Sequence, residues 1–383
     1  MNIRRFLASK KIFTFKTTCQ YCFETFSTSR IVYKCTGSGT KESPSGTIHK
    51  LDATRLSMKG TGKCTESDKD GKACEGVAVK TCPYCEGLII DEILDADGRL
   101  EIAIVGVASA GKTVYMNVML DALQNANLNI ITEGVRQQDK DDFIKKIGEI
   151  KNRGIISSTV RNELVPRVWL IQDARNIRDR SVPYYTFTFH DGVGGDIETF
   201  QNKYLQYLKA SSAVLLLVDS SKIESVQRVI DPGADVEHLK NAIAVTNVAK
   251  AIRDAHGFSV KKPIDIPVAV VLSKFDTILK TPALTKHFPT NAIVLQPDTY
   301  SRQYSIGKFA KIDEEIREWL IQIGEESFLD RIKINFSQAQ FFAVSSLGSD
   351  LDEDGKFPPH FPHRVLDPML WLLHQEKLIS FSE

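Results

Sequence analysis

One stretch limits the folds open to this chain more than any other: Ile102 to Leu120, IAIVGVASAGKTVYMNVML. An apolar run breaks into small residues, with Gly106, Ala108, Ser109, Ala110 and Gly111 crowded together. It resumes after Lys112 and Thr113 with apolar residues at helical spacing, Val114, Val118, Leu120 and Leu123. The spacing Gly106-x-x-x-x-Gly111-Lys112-Thr113 is a Walker A phosphate loop. Small residues let successive backbone N–H groups converge on the α- and β-phosphates, and the helix that follows adds its N-terminal partial positive charge. In such a loop Lys112 reaches the β- and γ-phosphates and the Thr113 hydroxyl ligates Mg²⁺. A strand, a tight loop and a helix in that order commit the chain to an α/β architecture.

Three further pieces follow in order. YYTFTFHDGVGGD reads as an alternating strand ending at Asp191, with Gly194 three residues on. A carboxylate at that strand end can hold Mg²⁺ through water, and Gly194 leaves room for a backbone N–H to approach a γ-phosphate. SAVLLLVDSS reads as a buried parallel strand. IPVAVVLSKFD then runs into Ser273-Lys274-Phe275-Asp276, and QFFAVSSLGSD ends in Ser345-Ser346-Leu347.

Lys274-x-Asp276 resembles the N/T-K-x-D element of GTPases, and Ser345-Ser346-Leu347 their S-A-K/L element. That resemblance implies that the Asp276 carboxylate accepts from guanine N1–H and the exocyclic amine. The Lys274 stem would lie over the base, and backbone N–H groups near Ser345 would back O6. Adenine has an acceptor at N1 and no 2-amino donor, so a carboxylate there rejects ATP. Ser273 replaces the usual Asn or Thr, and the expectation is that a support to the phosphate loop is lost. The order of the four motifs is that of TRAFAC-class P-loop GTPases, and the resemblance covers roughly 100 to 383. The N-terminal cysteines and the C-terminal PHRVLDPMLWLL look like those of bacterial double-GTPase proteins, which are expected in conflict and signalling systems. The apolar residues of that C-terminal helix, Met369, Leu370, Leu372 and Leu373, are expected to pack on the sheet.

For switching, the same resemblance calls for a threonine between the phosphate loop and Asp191. Thr159, beside Ser158 in GIISSTVRNELVPRVWLI, is the candidate, with the region from Leu128 to Ser158 read as an enlarged switch I. Where Ras-like members carry a glutamine to orient water, this chain has Gly195, followed by Asp196. Hydrolysis is therefore expected to be slow unless Asp196, a switch residue or a partner compensates. Arg161, Arg175 and Arg178 flank the region and read as surface charges.

All seven cysteines precede Glu86: Cys19, Cys22, Cys35, Cys64, Cys74, Cys82 and Cys85. An odd number in a chain of this size argues against a disulfide framework. Two pairs are C-x-x-C, and two such knuckles complete a tetrahedral zinc site. Cys19, Cys22, Cys82 and Cys85 are therefore expected to form a zinc-ribbon-like site, with Tyr21, Tyr84, Phe23 and Phe26 around it. Cys35, Cys64 and Cys74 hold a second zinc with His49, or some are free thiols in a polar insertion.

The domains expected are a Cys-rich zinc unit over 1–90, a linker over 91–99 with a D-G turn at Asp97-Gly98, and a P-loop GTPase domain over 100–383. That domain is expected to be a mostly parallel six-stranded sheet with helices on both faces, its strands near 101–106, 166–172, 184–190, 213–219, 267–272 and 340–345. Helices are expected near 112–124, 196–209, 235–256, 311–328 and 366–377. The Pro-containing stretch 277–307 is long for a loop and reads as a partner-facing insertion. The implied ligands are GTP or GDP, Mg²⁺ and Zn²⁺. A net charge of +1 gives no electrostatic case for nucleic acid or an anionic membrane. No apolar run approaches the ~18 residues of a membrane span, and a cytoplasmic protein is expected. The functions left open are a slow GTP-dependent switch, a nucleotide-binding scaffold without turnover, and a nucleic-acid-associated ribbon protein regulated by GTP.

Overall fold

The computed structural model describes residues 15–35, 50–51, 78–106, 110–152, 167–173, 184–191, 206–233, 240–298, 300, 305–348 and 362–379. Two units emerge, Met1–Ala96 and Asp97–Glu383.

In the smaller unit, β1 (Lys16–Thr18) and β2 (Thr25–Ser27) form an antiparallel hairpin. β3 (Val32–Cys35) pairs antiparallel with both β4 (Lys50–Leu51) and β5 (Ala78–Thr81). A short helix, α1 (Asp91–Asp95), follows. Among the described residues, Cys19, Phe26, Cys82 and Ile89 form one buried apolar cluster.

The larger unit opens with β6 (Gly98–Gly106), so the residues expected as a linker hold α1 and the start of this strand. The Asp97-Gly98 pair anchors it, since the Asp97 carboxylate accepts from Tyr184 N at 3.0 Å. The remaining strands are β7 (Ile130–Gly134), β8 (Arg167–Asp173), β9 (Tyr184–Asp191), β10 (Ala213–Asp219), β11 (Val268–Ser273) and β12 (Ala339–Ala343). They form a seven-stranded sheet in the order β12-β11-β10-β6-β9-β8-β7. The pairs from β12 to β9 run parallel, and β9–β8 and β8–β7 run antiparallel. β10 and β11 are buried at every position, as strands covered on both faces must be.

The six-strand expectation is corrected by β7, which lies inside the stretch read as switch I. Its pattern is inverted: Ile131 is 43% exposed while Thr132 is buried and donates its hydroxyl to the Leu170 carbonyl at 2.9 Å. Hydropathy alternation therefore gave no strand signal there.

The helices are α2 (Lys112–Asn125), α3 (Gln137–Lys151), α4 (Glu224–Ile230), α5 (Lys240–His256), α6 (Asp276–Leu279), α7 (Pro282–Thr285), α8 (Gly307–Gln322), α9 (Glu326–Asn335) and α10 (Asp367–Gln375). The single helix expected over 311–328 is two. Gly324, at φ 85, takes the left-handed position that ends α8, and Glu325 N donates to the Leu320 carbonyl at 2.8 Å. Within the described part of the 277–307 stretch, several apolar residues pack into the core. Leu284, Phe288, Ala292 and Val294 are buried, and Phe288 stacks on Trp319 of α8. α10 is buried from Asp367 to Leu373, and it closes the fold as core.

Candidate functional site

Parallel strands put their C-terminal ends on one edge of a sheet, where α/β proteins bind ligands. β6 stops at Gly106, β9 at Asp191, β10 at Asp219 and β11 at Ser273. The register aligns Gly106 with Leu217, Asp219 with Ser273 and Ile104 with Asp191.

Gly106 admits no side chain, because a Cβ there would lie 2.5 Å from the Leu217 carbonyl oxygen. Residues 107–109, including Ala108 and Ser109, lie outside the described residues. Ala110 is fully buried, and Gly111 sits at φ 81 and ψ 22, a left-handed conformation that glycine adopts freely. Gly111 is the N-cap of α2, so the helix starts with no side-chain cap. A helix N-terminus of this kind is where anions bind. Lys112 is buried and its ammonium donates to the Gly106 carbonyl at 3.0 Å. Thr113 follows, half-buried, in the first turn of α2.

Across the edge, the Ser273 hydroxyl contacts the Ala110 carbonyl at 2.9 Å and the Val218 carbonyl at 3.2 Å. The expected loss of support to the phosphate loop is thus corrected: a serine hydroxyl on a fully buried strand end reaches the loop across 163 residues of sequence. Lys274, at φ 54, pairs its ammonium with the Asp219 carboxylate at 2.7 Å. Asp276 opens α6 and is 6% exposed. One of its oxygens accepts from the Ser345 hydroxyl at 2.6 Å, and the other lies 3.4 Å from Lys280 Nζ. Ser345 in turn accepts from Gly348 N at 2.9 Å. Ser346 and Leu347, both half-buried, complete that turn.

Asp276, Ser345, Leu279, Lys280, Gly348 and His363 line a cavity of about 350 Å³ together with Pro297 and Pro362. His363 is brought there by a two-way backbone pairing with Ser345, at 3.0 and 2.8 Å. Burial pushes its imidazole down from 6.5 to about 4. The ring is therefore neutral, and Nε2–H donates to the Val294 carbonyl at 2.8 Å. Beneath it, buried Arg364 bonds Asp367 at 2.7 Å and Asp298 at 3.2 Å.

In the smaller unit, each C-x-x-C pair forms the same turn. Phe23 N donates to the Cys19 carbonyl at 3.0 Å, and Glu86 N to the Cys82 carbonyl at 3.1 Å. Phe23 and Glu86, each just past the second cysteine, share φ of 60 and 63. Tyr21 N and Tyr84 N point at Cys19 and Cys82 Sγ, both at 3.4 Å. The four sulfurs of Cys19, Cys22, Cys82 and Cys85 lie within 4.8 Å of one another, with Cys19–Cys85 at 3.6 Å and Cys22–Cys82 at 3.7 Å. Four sulfurs at ~2.3 Å from one ion would be about 3.8 Å apart, so the set could hold a metal ion. Burial pushes the Cys19 thiol well above its ordinary range and Cys22 up to about 11. A divalent cation bound there would favour the ionised form of those sulfurs. Around them, Phe23 and Phe26 are buried, and Tyr84 meets Phe26 edge-on and takes Arg30 over its face.

Several expected site residues lie outside the described residues: Thr159, Gly194 and Asp196, with Cys64, Cys74 and His49. Cys35 ends β3 and Asp191 ends β9. Asp219, at the end of an apolar strand, and His363, far along the chain, join the groups of the site without standing out in the sequence. The VDSS run after a buried strand was the one available signal for Asp219.

No family model and no curated protein matches the chain. Among solved structures, similarity extends to the Arl6 BBS3 small GTPase from Trypanosoma brucei with bound GppNp, at 13% identity and TM-score 0.33, over 74% of this chain and 99% of that one. It extends also to the S. cerevisiae Ski7 GTPase-like domain bound to GTP, at 16% and TM-score 0.38, over 77% of this chain and 54% of that one. A third is the signal recognition particle receptor SRb-GTP/SRX complex from Chaetomium thermophilum, at 13% and TM-score 0.30, over 65% and 92%. Likeness this distant carries no argument about the chemistry of this chain, which rests on the geometry above.

Proposed function

We propose that this chain is a guanine-nucleotide-binding switch with slow, Mg²⁺-dependent GTP hydrolysis. The observation that carries the reading is Asp276. A carboxylate this buried is costly unless its acceptors are used. Ser345 aims it, and it borders a cavity of about 350 Å³ on the sheet edge that also bears the phosphate loop. The Ser273–Ala110 bond ties those two halves together. In this reading Lys112 neutralises β- and γ-phosphate charge, and Thr113 and Asp191 would hold magnesium, which would supply further neutralisation when bound. Thr159 belongs to switch I. With Gly195 unable to orient water, Asp196 or a partner residue is left to do so. Cys19, Cys22, Cys82 and Cys85 hold zinc, and the smaller unit is a structural and partner-docking module.

The test is nucleotide competition on the purified chain with GTP, ATP and XTP. Wild type should prefer GTP over ATP by about 100-fold or more, the equivalent of two charge-assisted hydrogen bonds. Asp276→Asn should lose GTP affinity and gain XTP affinity, since an amide can donate to the 2-oxo group of xanthine. Preference for ATP, or indifference to all three, would refute the reading. Steady-state phosphate release with and without Asp196→Ala separates a slow enzyme from a binder without turnover.

A further inference from the structure

The end of β10 closes on Lys274 from several sides. The Asp219 carboxylate, fully buried, accepts from Lys274 Nζ at 2.7 Å. Ser220 Oγ donates to the Lys274 carbonyl at 3.1 Å, and the Val218 carbonyl accepts from Ser273 Oγ at 3.2 Å. Lys274 has φ 54, a region that non-glycine residues occupy rarely and at a cost. The other Asp219 oxygen accepts from Ser221 N at 3.1 Å and Ser221 Oγ at 2.6 Å, so the carboxylate cannot rotate away.

The pair is lopsided. The Asp219 side chain is 0% exposed and that of Lys274 is 40% exposed. A lysine that wet needs no partner to stay charged, whereas a carboxylate that dry is expensive to keep. The arrangement makes sense if it serves Lys274. We propose that Asp219 is a positioning residue of the nucleotide site: it pins the Lys274 ammonium at the sheet edge, so that the methylene stem lies extended as a platform for a purine base. Freezing a long side chain before the ligand arrives moves its ordering cost from binding to folding. This rests on the guanine reading above. Asp219 itself touches no ligand.

The experiment uses the full chain as wild type, Asp219→Asn, Lys274→Met and the double variant. Binding of a fluorescent GTP analogue is measured with competition by GTP and by inorganic tripolyphosphate, which engages the phosphate loop alone. Asp219→Asn should weaken GTP about tenfold and leave tripolyphosphate within about twofold, a split that general loosening of the fold would not produce. Combined with Lys274→Met it should add less than about twofold. An unchanged GTP affinity in Asp219→Asn, or an equal loss with and without Lys274→Met, overturns the inference alone. A wild type that binds no guanine nucleotide overturns the underlying reading and this inference with it. Should Asp219→Asn not fold, amine acylation of the wild type decides. Lys274 should react several-fold more slowly than exposed Lys262, and equal rates overturn the proposal.

Discussion

His363 sits where a charged imidazole is disfavoured. Burial lowers it to about 4, and Arg364 pushes the same way; the Val294 carbonyl, Asp276 and Asp298 oppose them without prevailing. In the unfolded chain the ring protonates near 6.5. Between pH 6.5 and 4 the unfolded state therefore binds more protons, and stability falls as pH falls through that window, by on the order of 3 kcal/mol at most from this group. His363→Gln keeps a donor for Val294 and removes the titration. Urea unfolding followed by tryptophan fluorescence should show a shallower loss of stability from pH 6.5 to 4 in the variant than in wild type. Equal slopes would show that His363 takes up its proton in the fold as readily as in the unfolded chain. Trp169, Trp319 and Trp371 all lie in the larger unit, so the signal reports on it alone. At this scale the sequence marks candidates by their neighbours in the chain, such as Lys112 after Gly111 or Asp276 two places after Lys274. It concealed His363 and Asp219, whose partners lie 69 and 55 residues away.

Elements were legible where burial is two-sided or helical spacing is long. The strands at 213–219 and 268–273 and the helix at 112–125 fall close to their expected bounds. The misses share a cause, in that their signals are not hydropathic. β7 hides behind an inverted pattern, and a single left-handed glycine divides α8 from α9. α10 is held at its start by buried charge as well as by apolar packing. Arg364 bonds Asp367 and Asp298 and donates to the Ile293 and Gln296 carbonyls at 3.3 and 3.1 Å. Arg364→Ala would remove the buried cation that these carboxylates share, leaving Asp298 the more distant Lys308 at 3.6 Å. It should lower the unfolding free energy by about 3 kcal/mol or more, seen as a lower urea midpoint with an unchanged slope. A loss under about 1 kcal/mol would mean that the network contributes little to holding α10.

The two units of the molecule stand on different footings. The larger has a continuous core around its seven-stranded sheet. Among the described residues of the smaller, Cys19, Phe26, Cys82 and Ile89 make one buried apolar cluster, and two of them are cysteines of the metal-type set. An ion bound by the four cysteines would add its binding free energy to the folding of this unit. Purified protein should carry one zinc per four-cysteine site by elemental analysis. Chelation should abolish the protection of 78–90 from hydrogen exchange while leaving the tryptophan-detected unfolding of the larger unit unchanged. Retained protection after complete metal loss would show that the smaller unit folds on packing alone.

By itself the sequence determined what local spacing can encode: a strand, glycine-bracketed loop and helix, two thiol knuckles, and an α/β order of elements. Each depends on residues within a few positions of one another, where backbone geometry leaves few choices. The tertiary structure alone decided which strand ends share an edge. It set Ser273 against Ala110, Asp219 against Lys274 and Ser345 against Asp276. Those pairs form because parallel strands align distant segments, and a buried polar group must find its partner wherever the fold has put one.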